Sequence, residues 1–550
     1  MKTILLFVAA ALCLQAHAQL PYFLQNHNGN NLRYGPPVDI EYDGLNTVYS
    51  LHSSIPGPGA LIAKYNSTSG AVTNVAYLIR GNAAIKPVRV RTWGPNYYVL
   101  FNSATATGVS GYCLVSINAG SNFVNWAHAF SAPAGTAPRI AVDFVLEGGQ
   151  FAYILSNANN PGTNQSDIAV TKVDISVPIP VMVWDNVYQN TSRSEIASNI
   201  TLRMGIPELI ISAISSDLAN PVTDRGPVLL RVASTSGAYL SSMLYKYAPG
   251  CNNAEPNGTW VYLANNNFFL SSTSLEAGMN GPLWLSSINP VSLGINFQSN
   301  HRTGSAYLNP EIQPVFTATG TEILISGSSP VSSAYGYLHL QFASTGLPFT
   351  RGMIYQSTNP PNFGTSIFNV YKNLGTGLNI FSVAENTALS NNYHLLKTDD
   401  LGHNDCEDPY IVTPDGCIMS QYGINFARVG IPLVNAPVVC NTSNVSNSFV
   451  QLCNVPLRMA PGDNSKASGP AVNGELFAAP NPTKGTFILS AGKSTLSEME
   501  VINADGKKIP AELTETPEGI EISLAGKKAG VYVVQVLVNG EMKHLRIVLE

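Results

Sequence analysis

Apolar and polar positions alternate along this chain in short runs, and the alternation recurs. An alternating run ending in a polar turn occurs seven times: ALIAKYNSTSG from Ala60, GYCLVSINAG from Gly111, SDIAVTKVDIS from Ser166, GPVLLRVASTSG from Gly226, GPLWLSSINP from Gly281, YGYLHLQFASTG from Tyr335 and NNYHLLKTDDLG from Asn391. Successive starts lie roughly 50–60 residues apart, a repeat length seen in arrays and propellers. A second apolar run precedes each by a short polar loop: TVYSL at 47–51, FAYIL at 151–155, ELIIS at 208–212, FFLS at 268–271, EILIS at 322–326 and LNIFSV at 378–383.

The second repeat shows the whole unit. PVRVRT (87–92), YYVLFN (97–102), YCLVSI (112–117) and VNWAHAF (124–130) are separated by Gly, Pro, Asn and Ser. Runs this short, rich in Val, Ile, Tyr and Phe and bounded by turn residues, predict β-strands. No window sustains a 3.6-residue apolar period, so little helix is expected. Four strands per repeat predict a seven-bladed β-propeller over 36–455, in which neighbouring blades cover each other's faces. A solenoid is the alternative, and the repeat is too long for its coil. Residues 19–35 are polar and read either as a tail or as a strand that helps to close the ring.

The last repeat departs from the pattern. After Asp405 comes a cysteine-rich segment to Cys453, and an outer strand is expected within 410–434. Residues 456–475 are rich in Pro, Gly and Ser and read as a linker. From 476 to 550 Lys and Glu become denser, and strands at 485–489, 499–502, 519–524, 531–538 and 543–549 outline a small β-sandwich. The fold class is therefore all-β throughout.

Composition bears on address. Charged residues make up 11% of the chain, against roughly a quarter in an average soluble protein. Net charge is −5 with no basic run, so nucleic acid is not an expected partner. Lys2, the apolar run 4–14 and Ala16-His17-Ala18 form a signal peptide over 1–18. The chain beyond it has no apolar run long enough to span a bilayer. Six cysteines follow the signal peptide. In an oxidising compartment Cys406, Cys417, Cys440 and Cys453 are expected to form two local disulfides, and four cysteines allow three pairings. Cys113 and Cys251 are expected to be free. Zinc on His403, Cys406 and Cys417 fits no short ligand pair.

The C-terminal segment resembles the type A C-terminal sorting domain of the Bacteroidota type IX secretion system. The resemblance rests on Pro480-Asn481-Pro482-Thr483-Lys484-Gly485, on Val501-Ile502-Asn503-Ala504-Asp505-Gly506-Lys507, and on Ala529-Gly530-Val531-Tyr532-Val533-Val534-Gln535-Val536 with a final basic and apolar strand. It covers about 474–550; the end, Val548-Leu549-Glu550, lacks the usual terminal Lys. It implies export through the type IX machinery to the outer surface or the medium. The repeat region is similar to propeller-like cargo of that system, with Leu396-Lys397-Thr398-Asp399 followed by Gly402 and Cys406 as the matching residues.

The chain contains no HExxH, GxSxG or GxxxxGK, and no sialidase-type Ser-x-Asp-x-Gly-x-Thr-Trp turn. Asp39, Glu41, Asp143, Glu195 and Glu311 fall on inner strands. They are candidates for a glycosidase pair, or for solvated groups and partners of Arg89, Arg91 and Arg139. Asp399, Asp400, Asn404 and Asp405 lack the EF-hand spacing and suit a turn. Trp126 and Trp184 fall on equivalent fourth strands and are expected to pack; Trp93 is the exposed candidate for stacking on a ligand. No cofactor and no catalytic residue is assigned. The expected function is binding or adhesion to an extracellular glycan or protein, with a polysaccharide-active enzyme and a surface-layer component as alternatives.

Overall fold

The structure is a computed structural model. It describes residues 23–451 and 477–549 except for the stretches 248–253, 275–282, 356–362 and 399–406 and shorter ones between strands. From 299 to 420 it describes strands and their pairing. Two compact units divide the chain, Met1–Leu457 and Arg458–Glu550. All regular structure among the described residues is β.

The first unit repeats one antiparallel sheet along the chain, and among the described residues there are seven of five strands each. The first four strands of sheet 2 are Ile85–Trp93, Asn96–Ala104, Ser110–Asn118 and Val124–Ser131. They match the runs expected from the sequence to within two residues at each end. The first strands of sheets 1 to 7 begin at Arg33, Ile85, Arg139, Arg193, Ala254, Leu308 and Phe363. Every recurrent motif supplies the third strand of its sheet, from Ala60–Asn66 in sheet 1 to Asn392–Thr398 in sheet 7. In sheet 7 the fourth place is taken by Phe23–Gly29, paired antiparallel with Asn392–Thr398. The first strand of each sheet packs against that of the next, and the first strand of sheet 7 packs against that of sheet 1.

Packing follows the two-residue period of a strand. On the second strand of sheet 4 (Glu208–Asp217), Leu209 and Ile211 join a core with Tyr153, Leu155 and Tyr188 of sheet 3. Ile210, between them, joins Phe268, Leu270 and Trp284 of sheet 5. Both faces are covered, which is why ELIIS reads as an unbroken apolar run rather than an alternating one. Each such side chain, fully buried, contributes about 1.5–3 kcal/mol.

The cysteine-rich segment does something the sequence reading did not anticipate. Instead of one outer strand within 410–434, it supplies the fifth strand of every sheet, in reverse order. Glu407–Pro409 adds to sheet 6, Thr413–Pro414 to sheet 5 and Met419–Gly423 to sheet 4. Ala427–Val429 then adds to sheet 3, Val434–Pro437 to sheet 2, Asn441–Asn444 to sheet 1 and Asn447–Gln451 to sheet 7. This segment is a belt. It pairs the outer N–H and C=O groups that a four-stranded sheet leaves open. Ile424 and Phe426 anchor it in the core of sheets 3 and 4.

Of the four cysteines expected to form two local bridges, only Cys440 lies among the described residues, and it is not bridged. Cys440 carries a free, buried thiol, as does Cys113. Cys251, Cys406, Cys417 and Cys453 lie outside the described residues.

The second unit is a sandwich of two four-stranded sheets. Thr486–Ser490 and Gly519–Ser523 pair in one; Leu496–Asn503, Gly530–Val538 and Glu541–Leu549 run together in the other. Phe487, Leu489 and Ile522 meet Val534, Val536 and Ile547 in the core between them. Gly485 has φ +138°, open to glycine and strained for other residues, and its carbonyl accepts from the Leu524 N–H at 2.6 Å. Gly530 opens its strand and Tyr532 donates its hydroxyl to the Lys528 carbonyl at 2.7 Å. Pro480, Asn481, Pro482, Asp505 and Gly506 lie outside the described residues.

Candidate functional site

Two places in the first unit gather chemistry: the inner strands and the turns at one end of the sheets. The inner strands carry the acidic candidates. Sheets 1 to 4 each have a register break on the first strand, at Pro37/Asp39, Pro87/Arg89, Ala141/Asp143 and Ala197/Asn199. Such a bulge disrupts its own ladder, and an N–H buried there needs a partner. Just past the break, a first-strand N–H finds its acceptor on the preceding sheet. Asp39 Oδ2 accepts from Val90 N at 2.8 Å, Asp143 Oδ2 from Ile200 N at 3.1 Å, and Asn199 Oδ1 from Val261 N at 2.9 Å. Between sheets 2 and 3, Asn102 both donates to and accepts from Ala141.

Arg89 and Arg91 stand between two carboxylates. Asp39 takes Arg89 at 3.3 Å and Arg91 at 2.7 Å; Asp143 takes the same two at 3.3 and 3.1 Å. Burial pushes the Asp143 carboxyl above its usual range, opposed by Arg89, Arg91 and the Ile200 N–H. Glu41 lies 3.9 Å from Arg91. Arg139 is buried against Asp185 at 3.0 Å, and Asp185 also accepts from Thr171 at 2.6 Å. Asp39, Glu41 and Asp143 are thus brought to one network with Arg89 and Arg91, whereas Arg139 serves another.

Glu195 stands apart from that network. It is 0% exposed; Oε1 accepts from Ser215 at 3.0 Å and Oε2 has no hydrogen-bond partner among the described residues. Burial pushes its carboxyl up to about 8, with Asp167 adding to the rise and Ser215 and Arg193 opposing it. Asp167 is itself raised to about 6 by burial, against hydrogen bonds from Gln189 and Gln165. The side chain of Glu311 and residues Asp399, Asp400, His403, Asn404 and Asp405 lie outside what the structure describes.

The second place is the end of the sheets where strands one and two, and strands three and four, are joined. These turns are short and pinned. Asp43 Oδ1 accepts from the N–H groups of Leu45, Asn46 and Thr47. Asn118 and Asn289 do the same after the third strands of sheets 2 and 5, as Asx turns do. The fifth position of the latter turns needs a left-handed residue: Gly70 (φ +69°) and Gly237 (φ +65°) take it in sheets 1 and 4, Asn122 and Leu293 in sheets 2 and 5.

Three of these turns, in sheets 2, 4 and 5, are also latched to a neighbouring sheet. Lys64 of sheet 1 donates to Ala119 O at 2.6 Å and to Asn122; Lys172 of sheet 3 donates to Ser234 O at 3.1 Å; Arg231 of sheet 4 donates to Val291 O at 2.9 Å. These three occupy the same place in the recurrent motif. Burial lowers the Lys64 ammonium to about 8. On these turns Leu45, Phe123, Ile179, Ile206 and Val291 are exposed. Trp93, at the end of its strand beside the Gly94-Pro95 turn, is 48% exposed. Its indole lies against Gly149 of the next sheet, where a Cβ would fall 2.0 Å from Nε1. Trp126 and Trp184 pack instead, near Tyr98 and Tyr153 at 6.0 and 6.2 Å between ring centres.

Residues 478–550 match the family described as the secretion system C-terminal sorting domain. The chain is cargo of the type IX secretion system, exported to the cell surface or extracellular space. No helix among the described residues is long and apolar enough to cross a membrane. No curated protein matches the chain. Among solved structures, a quinohemoprotein alcohol dehydrogenase from Pseudomonas putida is 10% identical with a TM-score of 0.40, covering 68% of this chain and 76% of its own. The phage phi92 endosialidase is 9% identical with a TM-score of 0.35, covering 96% and 88%. A Trypanosoma rangeli sialidase is 8% identical with a TM-score of 0.36, covering 60% and 56%. Likenesses this distant carry no functional inference.

Proposed function

We propose that the first unit is a closed seven-bladed β-propeller, and that it serves outside the cell as a binding protein for a glycan or protein taken on the turn face. Closure is supported by the contact between the first strands of sheets 7 and 1 and by the Phe23–Gly29 strand completing sheet 7. The observation that carries the binding reading is Trp93: an aromatic face held open at a rigid turn, seated on Gly149 of the neighbouring sheet. An aromatic side chain placed so presents contact area at little entropic cost, and turns on a rigid scaffold are where recognition concentrates.

The inner carboxylates suit a structural role. Asp39 and Asp143 hold first-strand backbone N–H groups and two arginines between sheets, an arrangement that joins sheets rather than leaving an acid and a base facing a substrate. The enzyme alternative has one observation in its favour, the raised Glu195 carboxyl, which keeps its proton at neutral pH as a general acid does. That side chain is wholly enclosed, so the binding reading is preferred. Retention on a panel of polysaccharides and extracellular proteins, scored together with release of products, tests one against the other.

A further inference from the structure

The belt crosses from sheet 2 to sheet 1 beside a second thiol. Val438 N donates to Ala127 O on the fourth strand of sheet 2 at 3.0 Å, and Asn441 pairs with Ile79 on sheet 1. Cys440 lies in that crossing. Cys113 is on the third strand of sheet 2, paired with Ala129, which is in turn paired with Ala436 of the belt. Both thiols are buried in one apolar cluster between sheets 1 and 2, with Leu78, Phe101 and Ala127. The Arg80 guanidinium, which donates to Ser103 at 2.7 Å, acts electrostatically on both.

We propose that Cys113 and Cys440 form a disulfide in the exported protein, fastening the belt to the second sheet where it crosses to the first. The two sulfurs are not bonded in this structure. In the oxidation each thiol gives up one proton and one electron, and an S–S bond forms between the two sulfurs. The two electrons and two protons pass to the disulfide of a periplasmic thiol–disulfide oxidoreductase, whose S–S bond breaks to two thiols. The thiolate is the attacking species. Burial pushes the Cys113 thiol up to about 12 and the Cys440 thiol up to about 11, and Cys440 adds to the rise at Cys113. The docked pair therefore holds almost no thiolate at neutral pH, and exchange has to occur before the belt is laid down. The bond then closes a loop of more than three hundred residues, and long loops lose most entropy in the unfolded state.

The test uses full-length protein recovered from the cell surface or medium, denatured and alkylated without reductant, then digested and weighed. The expected product is a peptide containing Cys113 joined to one containing Cys440, which separates on reduction, with neither cysteine alkylated beforehand. Quantitative alkylation of Cys113, or Cys440 joined to Cys406, Cys417 or Cys453, overturns the proposal. Two further variants guard against a poor digest. Cys113→Ala and Cys440→Ala are each expected to release one new thiol titratable in urea, and to lower the urea midpoint by no less than the double variant does. No new thiol in either single variant contradicts the bond.

Discussion

Asp39 on the first strand of sheet 1 accepts a hydrogen bond of 2.8 Å from the backbone N–H of Val90 on the first strand of sheet 2. The relation recurs two sheets on, where Asp143 accepts from Ile200 at 3.1 Å. A bulge that loosens one sheet is thereby used to register it against another. The acids are part of the frame, and the arginines between them carry the compensating charge.

Asp143→Ala removes one of the two carboxylates that Arg89 and Arg91 share and leaves the Ile200 N–H open. Breaking one side of a buried pair costs about 3–5 kcal/mol, so a marked fall in the urea midpoint is expected. Asp143→Asn keeps an acceptor for Ile200 and is expected to lose less. Equal losses for the two variants in urea unfolding contradict the assignment of the backbone contact.

Glu195 makes stability depend on pH with a definite sign. Its folded carboxyl titrates at about 8, above the unfolded value near 4.3, so the native state holds the extra proton. Its contribution is complete below the unfolded pKa and is lost as pH rises through about 8. Asp167, raised to about 6, acts with the same sign over a narrower interval. Glu195→Gln carries no titrating proton and is expected to flatten the fall in stability between pH 5 and pH 8, about 1.4 kcal/mol per pH step at most. Urea midpoints of both proteins at those two values check it; parallel slopes contradict it.

Much of the frame was legible because its signals are local. A double-faced core requires apolar runs, and turns require Asn, Asp or Gly at set places, so third strands such as Ser110–Asn118 fell where the pattern put them. The pairing of Asp39 and Asp143 with Arg89 and Arg91 was legible as one of two readings, since strand alternation alone does not say which neighbour a carboxylate meets. The belt was not legible. Its strands are two to five residues long, and Ala427–Val429 is exposed throughout, so no amphipathic period marks it. A signal did exist: repeat seven offers three strand runs, and the belt segment carries no copy of the recurrent motif. The Lys64, Lys172 and Arg231 latches were also missed, although their shared place in the motif pointed to a shared task.

Phe426 tests the belt. It packs against Tyr239 at 6.4 Å between ring centres, next to Ile424, whose carbonyl accepts from Ser242. Truncating a buried Phe costs about 3–5 kcal/mol. Phe426→Ala is expected to expose the belt over sheets 3 and 4 to brief protease treatment, with cleavage between 419 and 437 ahead of cleavage elsewhere. Unchanged cleavage sites contradict an anchoring role for this residue.

The central claim, recognition on the turn face without cutting, is tested most directly by one comparison. The full chain, Trp93→Ala, Phe123→Ala and Glu195→Gln are passed over the same panel of immobilised polysaccharides and extracellular proteins, and both retention and soluble products are scored. Trp93 and Phe123 are 48% and 74% exposed, so their truncation is expected to leave the melting temperature within a degree or two. The account predicts retention of the full chain on at least one ligand, at least tenfold weaker for Trp93→Ala, unchanged for Glu195→Gln, and no products. Products released by the full chain and abolished in Glu195→Gln contradict it.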